Sequence, residues 1–158
     1  MQSTLALFLA FGIGVVAGLR SMTAPAVTAW AVHLGWLDLK DSPLGFMGSP
    51  WAVGVLTLGA LGELVADKLP MTPSRTKPGP LAARIVMGGL SGACVTVAGA
   101  GSPWVGAVLG AIGGIVGTFA GYRARMGLVQ ALKVPDAAIA IPEDLIAIGL
   151  GLLLVSRL

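Results

Sequence analysis

The sequence predicts an all-α integral membrane protein: about five transmembrane helices plus one re-entrant or interfacial helix, close-packed through glycine, with a candidate inverted repeat. Three observations carry this expectation. Hydrophobic residues make up 56% of the chain and charged residues only 11%, whereas soluble domains carry about 25% charged residues. The mean hydropathy is +0.90. Within the apolar stretch 102–126, Gly106, Gly110 and Gly114 recur every fourth residue, and Gly113, Gly117 and Gly121 form a neighbouring stripe. Residues four apart share a helix face, so two glycine stripes let two other backbones approach closely. In water each glycine would disfavour a helix by ~1 kcal/mol relative to Ala. In lipid the backbone must bond to itself, and the helix persists.

At 158 residues the chain reads as one domain, 1–158, with no room for a separate soluble module. A net charge of +3 and the lack of a basic patch interleaved with aromatics argue against nucleic acid. The single cysteine, Cys94, forms no internal disulfide and reads as packing. One Cys and one His cannot build a zinc site. No cofactor and no metal are expected.

In chain order, the spans fall at about 5–20, 49–68, 81–100, 103–122 and 142–157. The first has no basic segment ahead of it, so it is expected to be retained rather than cleaved as a signal peptide. After it, Pro25 disfavours helical geometry at Ala24, and Ser21 or Thr23 can cap a new helix. Residues 24–37 then resume as an apolar stretch too short to span, hence re-entrant or interfacial. Ser49-Pro50-Trp51 and Ser102-Pro103-Trp104 open the second and fourth spans with the same cap, first-turn proline and interfacial aromatic. These two helices should therefore start from the same side. The connection containing Pro70, Pro73, Pro78 and Pro80 reads as stiff and exposed. Residues 127–141 read as a mixed loop.

With five crossings, Lys68, Arg75, Lys77, Arg84, Arg123, Arg125 and Lys133 lie on one side, and Arg20, Lys40 and Arg157 on the other. The positive-inside rule then puts the N-terminus in the cytoplasm. That assignment fails if 24–37 crosses. The segments 14–20 and 117–123 share the pattern Gly-x-x-Ala-Gly-x-Arg. On five crossings their helices run in opposite directions, as in the inverted repeats of transporters.

The least bland feature is Glu63 with Asp67, four apart on one helix face. Glu63 lies ~20 Å along its helix from Pro50 at 1.5 Å per residue, about two-thirds through a ~30 Å hydrocarbon core. Acids at such depth face a partner or a water-filled cavity. Lys68 is the one local compensating charge, and Arg84, Arg123 and Arg125 are candidate ion-pair partners. Arg20, followed by Ser21, Thr23 and a fresh helix N-terminus, forms a candidate anion site of backbone N–H groups and a fixed cation. Glu143 and Asp144 read as first-turn acids favoured by the helix dipole. His33 reads as interfacial packing, and Trp30, Trp36, Trp51 and Trp104 as interfacial belt residues.

Gly18–Ser21, Glu63–Pro70 with its Glu-x-x-x-Asp-Lys-x-Pro pattern, and the proline-rich Ser74–Arg84 together resemble an uncharacterised bacterial multi-pass inner-membrane family, domain of unknown function family 4126. The resemblance implies a small inner-membrane helical protein with no assigned reaction and no catalytic residues. The functional expectation from the residues is a transporter or channel-like subunit for a small anion or polar metabolite, coupled to a proton or cation and working as a homodimer. Arg20, Ser21, Thr23, Glu63, Asp67, Lys68, Arg123 and Arg125 would line its path. The alternatives are a non-transporting module that binds membrane lipids or a partner protein, and an intramembrane lipid-phosphate enzyme with Mg²⁺ on Glu63, Asp67, Glu143 and Asp144. No nucleophile pair or phosphotransferase motif supports the last.

Overall fold

The computed structural model describes residues 2–158 except Pro70 and Thr72, with side chains described from Thr4 onward. Pro70, which closes the Glu-x-x-x-Asp-Lys-x-Pro pattern, thus lies outside the described residues. The described residues form six α-helices and one 3-10 turn, with no strand among them: α1 Gln2–Leu19, α2 Thr23–His33, the 3-10 turn Pro43–Gly48, α3 Pro50–Ala66, α4 Pro78–Ala98, α5 Pro103–Leu132 and α6 Asp136–Val155. Three helices, α4, α5 and α6, are long and apolar enough to cross a membrane, and α1 and α3 are shorter apolar helices.

The centre is a triad of α1, α4 and α5, whose mutual interfaces are the most extensive in the molecule. Glycine makes it possible. On α5, Gly106 meets Gly92, Gly110 meets Gly88 and Gly114 meets Arg84, all on α4. The second stripe meets α1: Gly113 abuts Phe11, Gly14 and Val15, and Gly117 abuts Val15. At each of these positions a Cβ would land on the neighbour's backbone, so the helices sit closer than side chains permit. The two stripes face two different helices, because neighbours such as Gly110 and Gly113, three residues apart, point about 60° apart around the helix axis.

The order of these contacts fixes direction. Moving up α1 from Gly14 to Gly18, the α5 partner moves from Gly110 to Gly114 and Thr118. The two helices are therefore parallel. This corrects the expected opposite direction of the 14–20 and 117–123 copies, which leaves that pair without an inverted relation.

The second correction concerns 24–37. Glu63 of α3 bonds to Ser21 and Met22 just ahead of α2, Trp30 Nε1 donates to Thr57 Oγ1 at 2.9 Å, and His33 Nδ1 lies 2.9 Å from Gly48 O just ahead of α3. So α2 runs antiparallel to α3 along its whole length and returns the chain to the end where α1 began. Eight of its eleven residues are buried, because Thr, Ala and Pro give it a slim outline that fits inside the bundle. Arg20 consequently sits at the same end as Asp67, not on the opposite side with Lys40 and Arg157.

The third difference is at α5 and α6. Helix α5 continues through 127–132 to Lys133, whose left-handed φ of 51° ends it. Helix α6 begins at Asp136 and passes through Pro142. The proline is not a first-turn residue here. It removes one backbone donor inside the helix, which neighbouring helices tolerate in such bundles. Glu143 and Asp144 therefore lie two turns into α6. Proline does start α3, α4 and α5. Ser49 caps α3 by accepting from Ala52 N at 3.1 Å, whereas the Ser102 side chain makes no cap bond. Helices α3 and α5 start at the same end, with Trp51 and Trp104 exposed there.

Candidate functional site

One end of the bundle gathers ten charged side chains. Five are basic, Arg20, Lys68, Arg75, Arg84 and Arg125, and five are acidic, Glu63, Asp67, Asp136, Glu143 and Asp144. The group is formally neutral. That balance is what allows it to leave water, since an unpaired ion in a low-dielectric interior costs several kcal/mol or more.

Arg20 is at the centre and is fully buried. It follows the last turn of α1, where its N–H still bonds to Val16 O at 2.8 Å, so its position is set by the helix rather than by a loop. Nη1 donates to Asp67 Oδ2 and Nε to Asp144 Oδ1, both at 2.5 Å. Nη2 lies against Asp144 Oδ1 and 4.0 Å from Glu143 Oε2, yet it makes no well-aligned hydrogen bond. We read it as an ion-pair contact, because the carboxylate charge is adjacent whatever the angle.

Asp67 joins Arg20 to Arg125, whose Nη1 lies 2.9 Å from Asp67 Oδ2. Burial alone would raise the Asp67 carboxyl. The hydrogen bonds from Arg125 and Arg20 and their charges outweigh it and hold the group below the usual carboxylate range. Arg125 also reaches Glu143 Oε2 at 3.3 Å and makes a paired contact to the carboxylate of Asp136. Asp136 is the outermost member at 58% side-chain exposure. Arg75 binds Glu143 through both amino groups, at 2.6 and 3.1 Å. This pins the proline-rich connection onto α6, and Arg75 is buried rather than exposed as its loop setting suggested. Lys68 Nζ donates to Asp144 Oδ2 at 2.7 Å.

Glu63 is held differently. Its Oε1 accepts from Ser21 N and Ser21 Oγ, and Oε2 from Met22 N, each at 2.8 Å. These donors stand at the N-terminus of α2, where the backbone N–H groups have no intrahelical partner. The backbone donors expected at this helix start are present, and the protein's own carboxylate accepts from them. The anticipated Ser21 or Thr23 cap is not formed: Met22 is the N-cap residue with no side-chain cap bond, and Ser21 serves Glu63 instead. Thr23 is buried beside it.

Of the residues singled out from sequence, Arg20, Ser21, Glu63, Asp67, Lys68 and Arg125 come together. Arg123 does not. It is exposed, with no ion pair among the described residues, and Arg84 stands where a partner for Glu63 was expected, at 3.6 Å. Asp144, read as a plain first-turn acid, is a principal partner of Arg20. The signal that would have found it is its helical register: Asp136, Glu143 and Asp144 fall within one face of a helix begun at Asp136 rather than at Pro142. Asp144 lies ~12 Å from the start of α6 and ~16 Å from its end, near the helix midpoint.

A cavity of about 370 Å³, lined by Asp67, Ser74, Arg75, Tyr122, Arg125 and Asp136 among others, opens onto this cluster. Among the described residues no group of three or more His, Cys, Asp and Glu side chains is arranged to hold a metal ion. The carboxylate oxygens that a cation would need already accept from guanidinium groups, from Lys68 or, for Glu63, from Ser21 and Met22.

These features define a helical membrane protein with a buried, charge-balanced cluster at one end. The chain belongs to a family described as a domain of unknown function, DUF4126, whose model matches residues 7–156. No curated protein and no solved structure matches it.

Proposed function

We propose that the protein moves a small anion or polar solute across a bacterial inner membrane, with the charged cluster as its polar waypoint and a proton or cation as coupling ion. The observation that carries this reading is the burial of Arg20 between Asp67 and Asp144. Ion pairs taken out of water rarely stabilise a fold relative to apolar packing, and ionisable groups within membrane helices, as Asp144 near the middle of α6, mark solute or proton paths. The cavity beside Arg125 offers the cluster an approach from one side.

Charge distribution supports an orientation. Eight of the ten Lys and Arg residues, all but Lys40 and Arg157, belong to the cluster end. Cations favour the cytoplasmic face, so the cluster end is assigned there and both chain ends opposite. This reverses the N-terminal side expected from five crossings. The cluster is self-neutral and the far end balances Asp38 and Asp41 against Lys40 and Arg157, so the net charge of +3 resides on Lys77, Arg123 and Lys133. A chain of this size is expected to work as a pair of copies.

The second reading is a non-transporting module for lipids or a partner protein. It is favoured by the saturation of the cluster, in which every carboxylate already faces a cation. Purified protein in liposomes separates the two. Solute or proton flux that is lost in Glu63→Gln and kept in Cys94→Ala supports transport. Flux indifferent to Glu63, or no flux under any gradient, supports the module.

A further inference from the structure

We infer that the groove between the 3-10 turn and the α4–α5 hairpin is a binding site for one membrane phospholipid whose headgroup carries a primary ammonium. This goes beyond the transport reading and does not rest on it, since the groove lies at the opposite end of the bundle from the charged cluster. The groove has a volume of about 610 Å³ and is lined by apolar side chains of α4, α5 and the 3-10 turn, with Asp41 as its one charged residue. Ala93 on α4 and Ala107 on α5 line it, and their small side chains leave it concave. Trp104, also in the lining, is 80% exposed and marks headgroup level, where interfacial tryptophans sit. Ala93 precedes Val97 by one turn of a helix that ends here at Ala98, so the groove runs at least ~6 Å inward along α4. An apolar slot parallel to the helices, starting at headgroup level, fits an acyl chain.

Charge at the outer end selects the headgroup. A second cavity, of about 320 Å³, shares Asp41, Ser42 and Val97 with the groove and adds Asp38. Its lining includes Ala98 and Ala100, which places the two acids at the tip of the α4–α5 hairpin. Asp41 makes no hydrogen bond or ion pair with a described residue, and Asp38 Oδ1 accepts only from Lys40 N, at 3.2 Å. The two cations of this end, Lys40 and Arg157, line neither cavity, and Lys40 lines a separate one beside His33. The rim is therefore negative and free of fixed cations. A primary ammonium brings three N–H donors to such carboxylates, in charge-assisted hydrogen bonds. Ser42 Oγ accepts from Leu44 N at 3.0 Å, which leaves its own O–H to donate to the phosphate that the same headgroup carries. A lipid with a phosphate and no ammonium would set like charge against Asp41 with nothing to offset it.

The test is native mass spectrometry of the full-length protein, stripped of lipid in detergent and titrated with dioleoyl phosphatidylethanolamine or with the phosphatidylcholine and phosphatidylglycerol of the same chains. Phosphatidylethanolamine should bind about tenfold tighter than phosphatidylglycerol, with phosphatidylcholine, a cation without N–H donors, between them. Asp38→Asn with Asp41→Asn should bring the three lipids to equal affinity. Both acids are exposed, so this variant should keep the wild-type melting temperature. Ala107→Phe fills the slot and should weaken all three lipids alike, by about tenfold or more. If Ala107→Phe does not fold, Trp104→Ala, at an exposed position of the lining, should show the same uniform weakening. Phosphatidylglycerol binding as tightly as phosphatidylethanolamine to wild type overturns the inference. So does a headgroup preference that survives the double variant, or lipid affinity unchanged by the slot variants. A lipid-independent dimer that Ala107→Phe breaks assigns the groove to a second copy and overturns it equally. No gradient or flux is involved, so failure here leaves the transport reading standing, and absence of flux leaves the lipid site standing.

Discussion

Arg20 and Asp144 are 124 residues apart in sequence, and in the fold Arg20 Nε donates to Asp144 Oδ1 at 2.5 Å. The contact ties the end of α1 to the middle of α6. Both residues are buried, Arg20 fully, so each charge depends on its ion-pair partners for compensation. Asp144→Asn strands a buried guanidinium against Asp67 alone and leaves Lys68 without its carboxylate. Removing one member of a buried pair costs roughly 3–5 kcal/mol. A marked fall in the detergent melting temperature is expected, larger than for any single substitution among the exposed charges.

Arg123 and Arg125 provide the contrast. They are two residues apart, yet one faces out and the other binds Asp67, Asp136 and Glu143. Arg123→Ala should change stability by less than about 0.5 kcal/mol, as exposed substitutions do. Arg125→Ala should approach the cost of Asp144→Asn. Thermal unfolding of the two variants side by side checks this.

The glycine interfaces make a steric prediction. A Cβ on Gly110 would fall on Gly88 O, backbone that has nowhere to go, so Gly110→Ala should cost about 1–3 kcal/mol or more by overpacking. A Cβ on Gly149 meets nothing within 4 Å. Gly149→Ala should be neutral or stabilise by up to ~1 kcal/mol through helix propensity.

The cluster also sets an acid limit. Asp67 has a folded pKa below its unfolded value, so its contribution to stability is complete above the unfolded carboxylate pKa of ~3.9. It is lost as pH falls through the folded value. Stability from this group should be constant from neutral pH to about pH 5 and decline below that. In Asp67→Asn the acid limb should be shallower, which melting curves across that range would show.

Much of this arrangement was legible in the sequence. The glycine stripes of α5 specify two close neighbours because a four-residue period is a face, and the fold supplies α4 and α1. Glu63 and Asp67 announced a compensated cluster because acids at that depth need partners. What was not legible has a common cause. The slim α2 looked too short to return the chain, since length measures hydrocarbon thickness and not a helix buried inside protein. Pro142 looked like a helix start, since proline is favoured there, and that choice moved Glu143 and Asp144 into a first turn where acids need no explanation. The first reading put Arg20 on the side opposite Asp67 and Asp144, and the second removed the reason to seek a partner for Asp144. Arg123 and Arg125 are indistinguishable by composition, and only the rotation of α5 separates them.

The most direct measurement is flux through a balanced double variant. Arg20→Gln with Asp144→Asn removes one cation and one anion together, keeps the size of the Asp144 side chain, and leaves no buried charge stranded in that contact. In proteoliposomes under an imposed pH gradient, the expected result is a double variant that melts closer to wild type than Asp144→Asn alone and carries no flux. Flux equal to wild type in that variant would contradict the assignment and return the cluster to a purely architectural role.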